Sequence, residues 1–239
     1  MDKLGYTWDP HTVPTDDGYF LTLFHITGKT ETGPFTPTKP PVLFNHGNYQ
    51  DAASWLSDSS NYTEEDDGSV DVVPYHLQLA DSGYDVWLGN NRGTWYSQGH
   101  VEYDAVEDDE FWMYTWGDMG LYDDTANITR IKQETGYDKV FYVGYSQGTI
   151  QMFYALSHLQ DWMAENLLKV VQLAPCFVSG RAPIPPESAR ETVFQYQSLG
   201  VYAYSGPHWE RDRAVLIENF PALTPFYMSF KDDDQPAAI

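Results

Sequence analysis

The sequence predicts an α/β fold built on a mostly parallel sheet with crossover helices. Three observations carry this. Short apolar runs alternate with helix-patterned segments three times between Pro41 and Leu173, the signature of strand–helix–strand units. One such junction, Val143-Gly144-Tyr145-Ser146-Gln147-Gly148, places a serine between two glycines where an apolar run meets a helix. Polar, turn-forming residues follow the runs at His46-Gly47-Asn48, Asn91-Arg92 and Ser146; in parallel sheets, sites lie at the carboxyl ends of the strands.

Taken in order, residues 6–18 read as polar and turn-rich. Tyr19 to Ile26 reads as a strand, with Phe20, Phe24 and Ile26 on one face and Leu21 and Leu23 on the other. Thr27 to Pro41 is a Gly/Pro/Thr connection. Pro41 to Asn45 is a short apolar strand ending in His46-Gly47-Asn48, and Asp58 to Asp71 is an acidic loop. Tyr75 to Ser82 reads as a helix closed by Gly83, followed by the strand Tyr84 to Leu88. An aromatic, acidic connection runs from Trp95 to Asp118. Leu121, Thr125 and Ile128 then follow helical spacing up to a stop at Gly136. Lys139 to Val143 is the strand before the serine, Thr149 to Leu156 the helix after it, and Lys169 to Leu173 one more strand. From Phe177 the pattern changes: Pro183 to Ser188 is proline-rich, and Ala189 to Leu199 and Asp212 to Phe220 are short helix candidates. This sets a core at 1–176 and a second region at 177–239.

The 239 residues suffice for one large domain with a sizeable core. Thirty-five acidic against 13 basic residues give a net charge of −22, which argues against nucleic acid and anionic membrane partners. No run reaches the length of a membrane span, and Met1 to Gly5 leads straight into turn-like sequence, without a signal peptide. The single cysteine, Cys176, excludes an internal disulfide; its flanks Pro175 and Phe177 mark it as a small core residue. Asn61 and Asn127 stand in glycosylation sequons.

The chemistry concentrates on Ser146. A serine on a sharp strand-to-helix turn presents its hydroxyl, and glycines two residues either side prevent collision. The first amide of the helix, that of Gln147, is placed to stabilise an oxyanion, and the turn after the Pro41–Asn45 strand offers the amide of Asn48 as a second donor. A serine nucleophile also needs a base and an orienting acid. Only His158 and His208 follow Ser146; His158 lies about three turns along the helix, roughly 18 Å away, and is out of reach. His208, in the loop-rich tail, and Asp232, Asp233 and Asp234, after the apolar run Phe226 to Phe230, stay open as base and acid, against the plainer reading of a loop residue and a solvated acid cluster. The acid runs Glu64–Asp67 and Glu107–Glu110 lack calcium-loop spacing, no His/Cys group has zinc spacing, and no cofactor is implied.

Several stretches together resemble the acid lipase family, the gastric and lysosomal lipases. They are Gly18-Tyr19-Phe20-Leu21; His46-Gly47 with Ala52, Ala53 and Trp55; Gly83 to Gly93; Phe111-Trp112 with Met119 and Tyr122-Asp123; Val143 to Thr149; and Leu173-Ala174-Pro175. The resemblance extends over nearly everything to Pro175. It implies an α/β-hydrolase fold, Ser146 as nucleophile and the amides of Gln147 and Asn48 as oxyanion donors. Asn48 stands where the family usually has leucine, and Tyr145 where it often has histidine. Asn219-Phe220, Tyr227, Ser229 and Gln235-Pro236-Ala237 are similar to part of the family's cap, so 177–239 is expected to be a partial cap. The family's catalytic Asp and His follow the cap, after core strands not found here. The resemblance therefore implies a lipase cleaving lipid esters (triacylglycerol or sterol ester), completed by a second polypeptide or segment carrying Asp and His. An apolar sheet edge left unpaired at Lys169–Leu173 points the same way. It also implies a transient lipid interface and a secreted or lysosomal setting. A catalytically inactive, lipid-binding protein that kept the serine turn is the alternative.

Overall fold

The computed structural model describes residues 4–57 and 73–176, with a short helical piece at 214–215 and 217–219. That piece falls inside the helix expected at Asp212 to Phe220. The acidic loop at 58–71, and with it Asn61, lies outside the described residues. So do His208, Asp232, Asp233, Asp234 and most of the region assigned to the cap.

The strands are β1 (Tyr6–Pro14), β2 (Tyr19–Lys29), β3 (Gly33–Pro34), β4 (Lys39–Asn45), β5 (Tyr84–Leu88), β6 (Gly99–His100), β7 (Val140–Tyr145) and β8 (Leu167–Leu173). The helices are α1 (Ser54–Ser57), α2 (Tyr75–Asp81), α3 (Trp116–Asp118), α4 (Asp124–Thr135), α5 (Gln147–His158) and α6 (Gln160–Asn166). One sheet runs β1-β2-β5-β4-β7-β8, with the short β3 and β6 paired to β2. β5, β4, β7 and β8 are mutually parallel; β1 and β2 are antiparallel.

Burial on both faces explains the unbroken apolar runs. In β4, Val42 and Phe44 face one cluster with Leu77, Ala80, Val86 and Leu88, while Leu43 faces the other with Trp87, Ile128, Tyr142 and Met152. β2 divides likewise: Leu21 and Leu23 on one side, Phe24 and Ile26 on the other, with Phe20 left 38% exposed over Gly99.

Two expectations are corrected. Residues 6–18 contain a nine-residue strand, paired from Tyr6↔Lys29 to Pro14↔Phe20 with an irregularity at Thr7/Trp8. It lies at the sheet edge, and of its residues only Tyr6 and Val13 are buried, so the period-two pattern is too thin to read. The connection from Trp95 to Asp118 holds β6, a 3-10 turn at Asp109–Trp112 and α3. In α4 the buried face is Asp124, Asn127, Ile128 and Ile131, rotated from the Leu121–Thr125–Ile128 stripe because two polar residues point inward.

The chain leaves β4 for β5 on one side and returns to β7 on the other. Strand order reverses at this point, where open α/β sheets form crevices at their carboxyl ends. β4 and β7 are neighbours in register, Asn45 opposite Gly144, so the turn after β4 and the turn after β7 emerge side by side. At the far side β8 pairs with β7 alone among the described residues, and Leu168 and Val171 on it are 42% and 46% exposed.

Candidate active site

Ser146 occupies the turn between β7 and α5 with φ 49 and ψ −109, a conformation rare for any residue with a side chain, costing on the order of 1–3 kcal/mol. Its surroundings enforce it. The Ser146 amide donates to the Leu173 carbonyl on β8 at 3.0 Å, and the Ser146 carbonyl accepts from the amide and hydroxyl of Thr149. The flanking glycines are sterically required: a Cβ on Gly144 would lie 2.7 Å from the Gly148 carbonyl oxygen, and one on Gly148 would lie 2.7 Å from that of Asn45. The Gly148 amide donates to the His46 carbonyl at 3.1 Å, so the serine turn and the turn after β4 are bonded directly.

Of the four amides from His46 to Tyr49, three are committed. The His46 amide donates to Asn45 Oδ1, the Gly47 amide to Gln50 Oε1 at 3.0 Å, and the Tyr49 amide to Asn48 Oδ1. Among the described residues no hydrogen bond engages the Asn48 amide. Across the gap, Gln147 opens α5, and its amide has no carbonyl four residues back within the helix. Both residues line a cavity of about 250 Å³, together with Trp112, Tyr114 and Met119. The Gln147 side chain is anchored on the Met119 sulfur at 3.2 Å.

His46 is close in sequence but not available as a base. Its Nδ1 meets the Gly47 carbonyl, which only accepts, so this nitrogen carries the proton; its Nε2 accepts from the Asn91 amide at 3.1 Å. Burial pushes its pKa down, which keeps the ring neutral. His158, on α5, bonds the Tyr154 carbonyl and stacks on the Tyr154 ring. Among the described residues the side chain against the Ser146 hydroxyl is Cys176, its sulfur 3.8 Å from Oγ. Cys176 is exposed rather than a core residue: it follows the carboxyl end of β8, where the chain leaves the sheet beside the serine turn, and its amide bonds the Thr149 hydroxyl. Asn127 is also corrected. It is 1% exposed inside α4, where a glycan would have no room.

Asn91 and Arg92 reach the site's floor rather than its mouth. Arg92 is buried, its side chain 1% exposed; it donates to both oxygens of Asp17 and Asp123 and lies 4.0 Å over the Tyr19 ring. Burial pushes the Asp123 carboxyl up to about 6 against the pull of Arg92. Beneath the serine turn lies a second buried group that sequence reading missed: Asn45, Asn91, Asp124, Tyr142 and Gln151, joined by hydrogen bonds. A hint existed in the acid pair Asp123-Asp124, set among apolar helical positions.

A family model described as alpha/beta hydrolase fold matches residues 40–232, and one described as partial alpha/beta-hydrolase lipase region matches residues 1–59. Among curated relatives, a putative lysosomal acid lipase/cholesteryl ester hydrolase of Crotalus adamanteus is 37% identical over 172 residues, 72% of this chain and 40% of that protein. Human lipase member M is 35% identical over 181 residues, 76% of this chain and 40% of its own length. The human lysosomal acid lipase/cholesteryl ester hydrolase is 34% identical over 171 residues, 72% and 40% respectively. The chain thus spans about 40% of the length of these relatives. A solved hypothetical protein from Pseudomonas aeruginosa superposes with a TM-score of 0.50 at 12% identity, covering 82% of this chain and 53% of that one, a likeness of fold alone.

Proposed function

The chain belongs to the alpha/beta hydrolase fold family, and from that premise we propose that it is the nucleophile-bearing part of a lipid-ester hydrolase acting on triacylglycerols or sterol esters. Ser146 Oγ attacks the acyl carbonyl carbon and loses its proton to a base. The carbonyl oxygen, now an anion, is held by the amides of Gln147 and Asn48. Collapse of the tetrahedral adduct releases the alcohol, which takes the proton from the base, and leaves an acyl ester on Ser146. Water repeats the cycle and frees the acid. The histidine base and its orienting aspartate come from a segment or second polypeptide outside this chain. A secreted or lysosomal setting accords with the names of the relatives.

The observation that carries this reading is the pairing of a forced serine conformation, φ 49 and ψ −109, with a neighbouring turn in which the amides of His46, Gly47 and Tyr49 are committed and that of Asn48 is left without an acceptor among the described residues. An ester-mimicking phosphonate tests it. The complete, folded protein should gain one adduct on Ser146 by intact mass and peptide mapping, and Ser146→Ala should gain none. Absence of an adduct on complete protein that carries a companion His and Asp would sink the hydrolase reading. It would favour instead a catalytically inactive, lipid-binding relative, which the lack of any His or acid against Ser146 among the described residues also motivates.

A further inference from the structure

Asp124 is fully buried at the start of α4. Three elements face it: Asn45 from β4, Tyr142 from β7 and Gln151 from α5, with Asn91, from the segment after β5, bonded to Asn45 and Gln151. All are neutral. Asp123, beside it, is an acid engaged by Arg92, and Arg92 is committed to Asp17 and Asp123. His46, above, is neutral. Among the described residues no cation contacts Asp124.

The protons can be counted. Asp124 Oδ1 accepts from Asn45 Nδ2 at 2.7 Å and from Gln151 Nε2 at 3.0 Å. Among the described residues Oδ2 faces only the Tyr142 oxygen, at 3.4 Å. Tyr142 has one proton, and the Gly148 carbonyl, which only accepts, lies closer at 2.8 Å. With that proton on Gly148, Oδ2 and the Tyr142 oxygen face each other with nothing between them unless the carboxyl supplies a hydrogen. An ionised Oδ2 would be a buried anion without a donor or a counter-charge, which proteins avoid by neutralising the group.

We propose that Asp124 is held as a neutral carboxylic acid and positions the two halves of the oxyanion hole. The proposal rests on the roles given above to Ser146, Gln147 and Asn48. Through Tyr142 it fixes the Gly148 carbonyl in the first turn of α5, one residue past the Gln147 amide. Through Asn45, whose Oδ1 accepts from the His46 amide, it fixes the turn that carries the Asn48 amide. One carboxyl thereby braces both donors from below. Burial, which pushes its pKa well above the ordinary carboxylate value, acts in the same direction.

Asp124→Asn is the test, because a carboxamide reproduces the neutral acid: its oxygen accepts from Asn45 and Gln151, and its N–H replaces the acid hydroxyl toward Tyr142. In the full 239-residue chain at neutral pH, infrared spectra should show a protonated-carboxyl C=O band that Asp124→Asn lacks. A carboxyl whose folded pKa is raised contributes stability that is complete below its unfolded value and lost as pH rises through the folded one. The denaturant midpoint of the wild-type chain should therefore fall relative to that of Asp124→Asn as pH rises above the ordinary carboxylate value, while Asp124→Leu is destabilised throughout. In complete protein, phosphonate capture at Ser146 should proceed at the wild-type rate in Asp124→Asn and on the order of 100-fold more slowly in Asp124→Leu. Identical carboxyl bands with parallel midpoint profiles would overturn the proposal. Failure of the wild-type serine to label would count against the hydrolase reading and leave the infrared and midpoint results to decide on Asp124.

Discussion

Replacing Gly148 with alanine should be destabilising even though alanine is the better helix former. The added Cβ would lie 2.7 Å from the Asn45 carbonyl oxygen and 2.9 Å from that of His46. Ordinary contact begins near 3.4 Å, so the start of α5 must retreat from the β4 turn by about 0.7 Å, the difference between 3.4 and 2.7. Both obstacles are backbone and cannot swing aside. The retreat also stretches the Gly148 amide bond to His46, now 3.1 Å, beyond useful length. Overpacking costs about 1–3 kcal/mol and the lost bond about 0.5–1.5 kcal/mol. Helix propensity returns about 1 kcal/mol. The net expectation is a loss of about 1–3 kcal/mol, read as a lowered urea midpoint with unchanged slope. Separating the Gln147 and Asn48 amides should also slow phosphonate capture at Ser146 in complete protein by on the order of 100-fold. A midpoint equal to or above wild type would refute the steric reasoning.

Gln50→Ala removes the acceptor for the Gly47 amide; it should slow Ser146 labelling by on the order of 10-fold while lowering stability by only about 1 kcal/mol, a split between function and fold that separate labelling and urea titrations would reveal. Asp17 carries a stability term on the acid side. Burial works against its ionisation, but hydrogen bonds from Arg92 and Thr15 outweigh burial and hold its carboxyl below the ordinary range, so this term is present above the unfolded carboxylate value and lost as pH falls through the folded one; Asp17→Asn should flatten the acid limb of the midpoint profile. His76 is buried with both ring nitrogens unpartnered among the described residues, and burial lowers its pKa to about 4. Stability should fall as pH drops from the ordinary 6.5 towards 4, and His76→Leu should lack that fall. In protein expressed through a glycosylating host's secretory pathway, peptide mapping should find Asn127 without a glycan, since it is enclosed in α4.

Much of this protein was readable from its residues because the signals are local. Tyr84 to Leu88 is a strand at the expected limits, α2 closes at Gly83 in a positive-φ conformation, and α4 stops at Gly136 likewise. Apolar run length, helical spacing and glycine turns act within a few residues of one another, so sequence carries them directly. Gly144 belongs to the same class, since its clash is with the Gly148 carbonyl one turn away, whereas Gly148 is required by the distant carbonyls of Asn45 and His46. What needed the tertiary structure depends on distant partners. β1 becomes a strand because β2 offers it a ladder, not because its residues alternate. Cys176 comes out of the core because the chain leaves the sheet beside Ser146. Asp124 turns inward because the interior at that depth is polar, a fact set by Asn45, Tyr142 and Gln151 on three other elements. The sequence singles out Ser146 and the amides of Gln147 and Asn48 as the candidate nucleophile and oxyanion donors. Only the fold decides that a buried carboxyl 22 positions before Ser146 braces them, since hydrogen bonds between residues far apart in the chain leave no periodic trace along it.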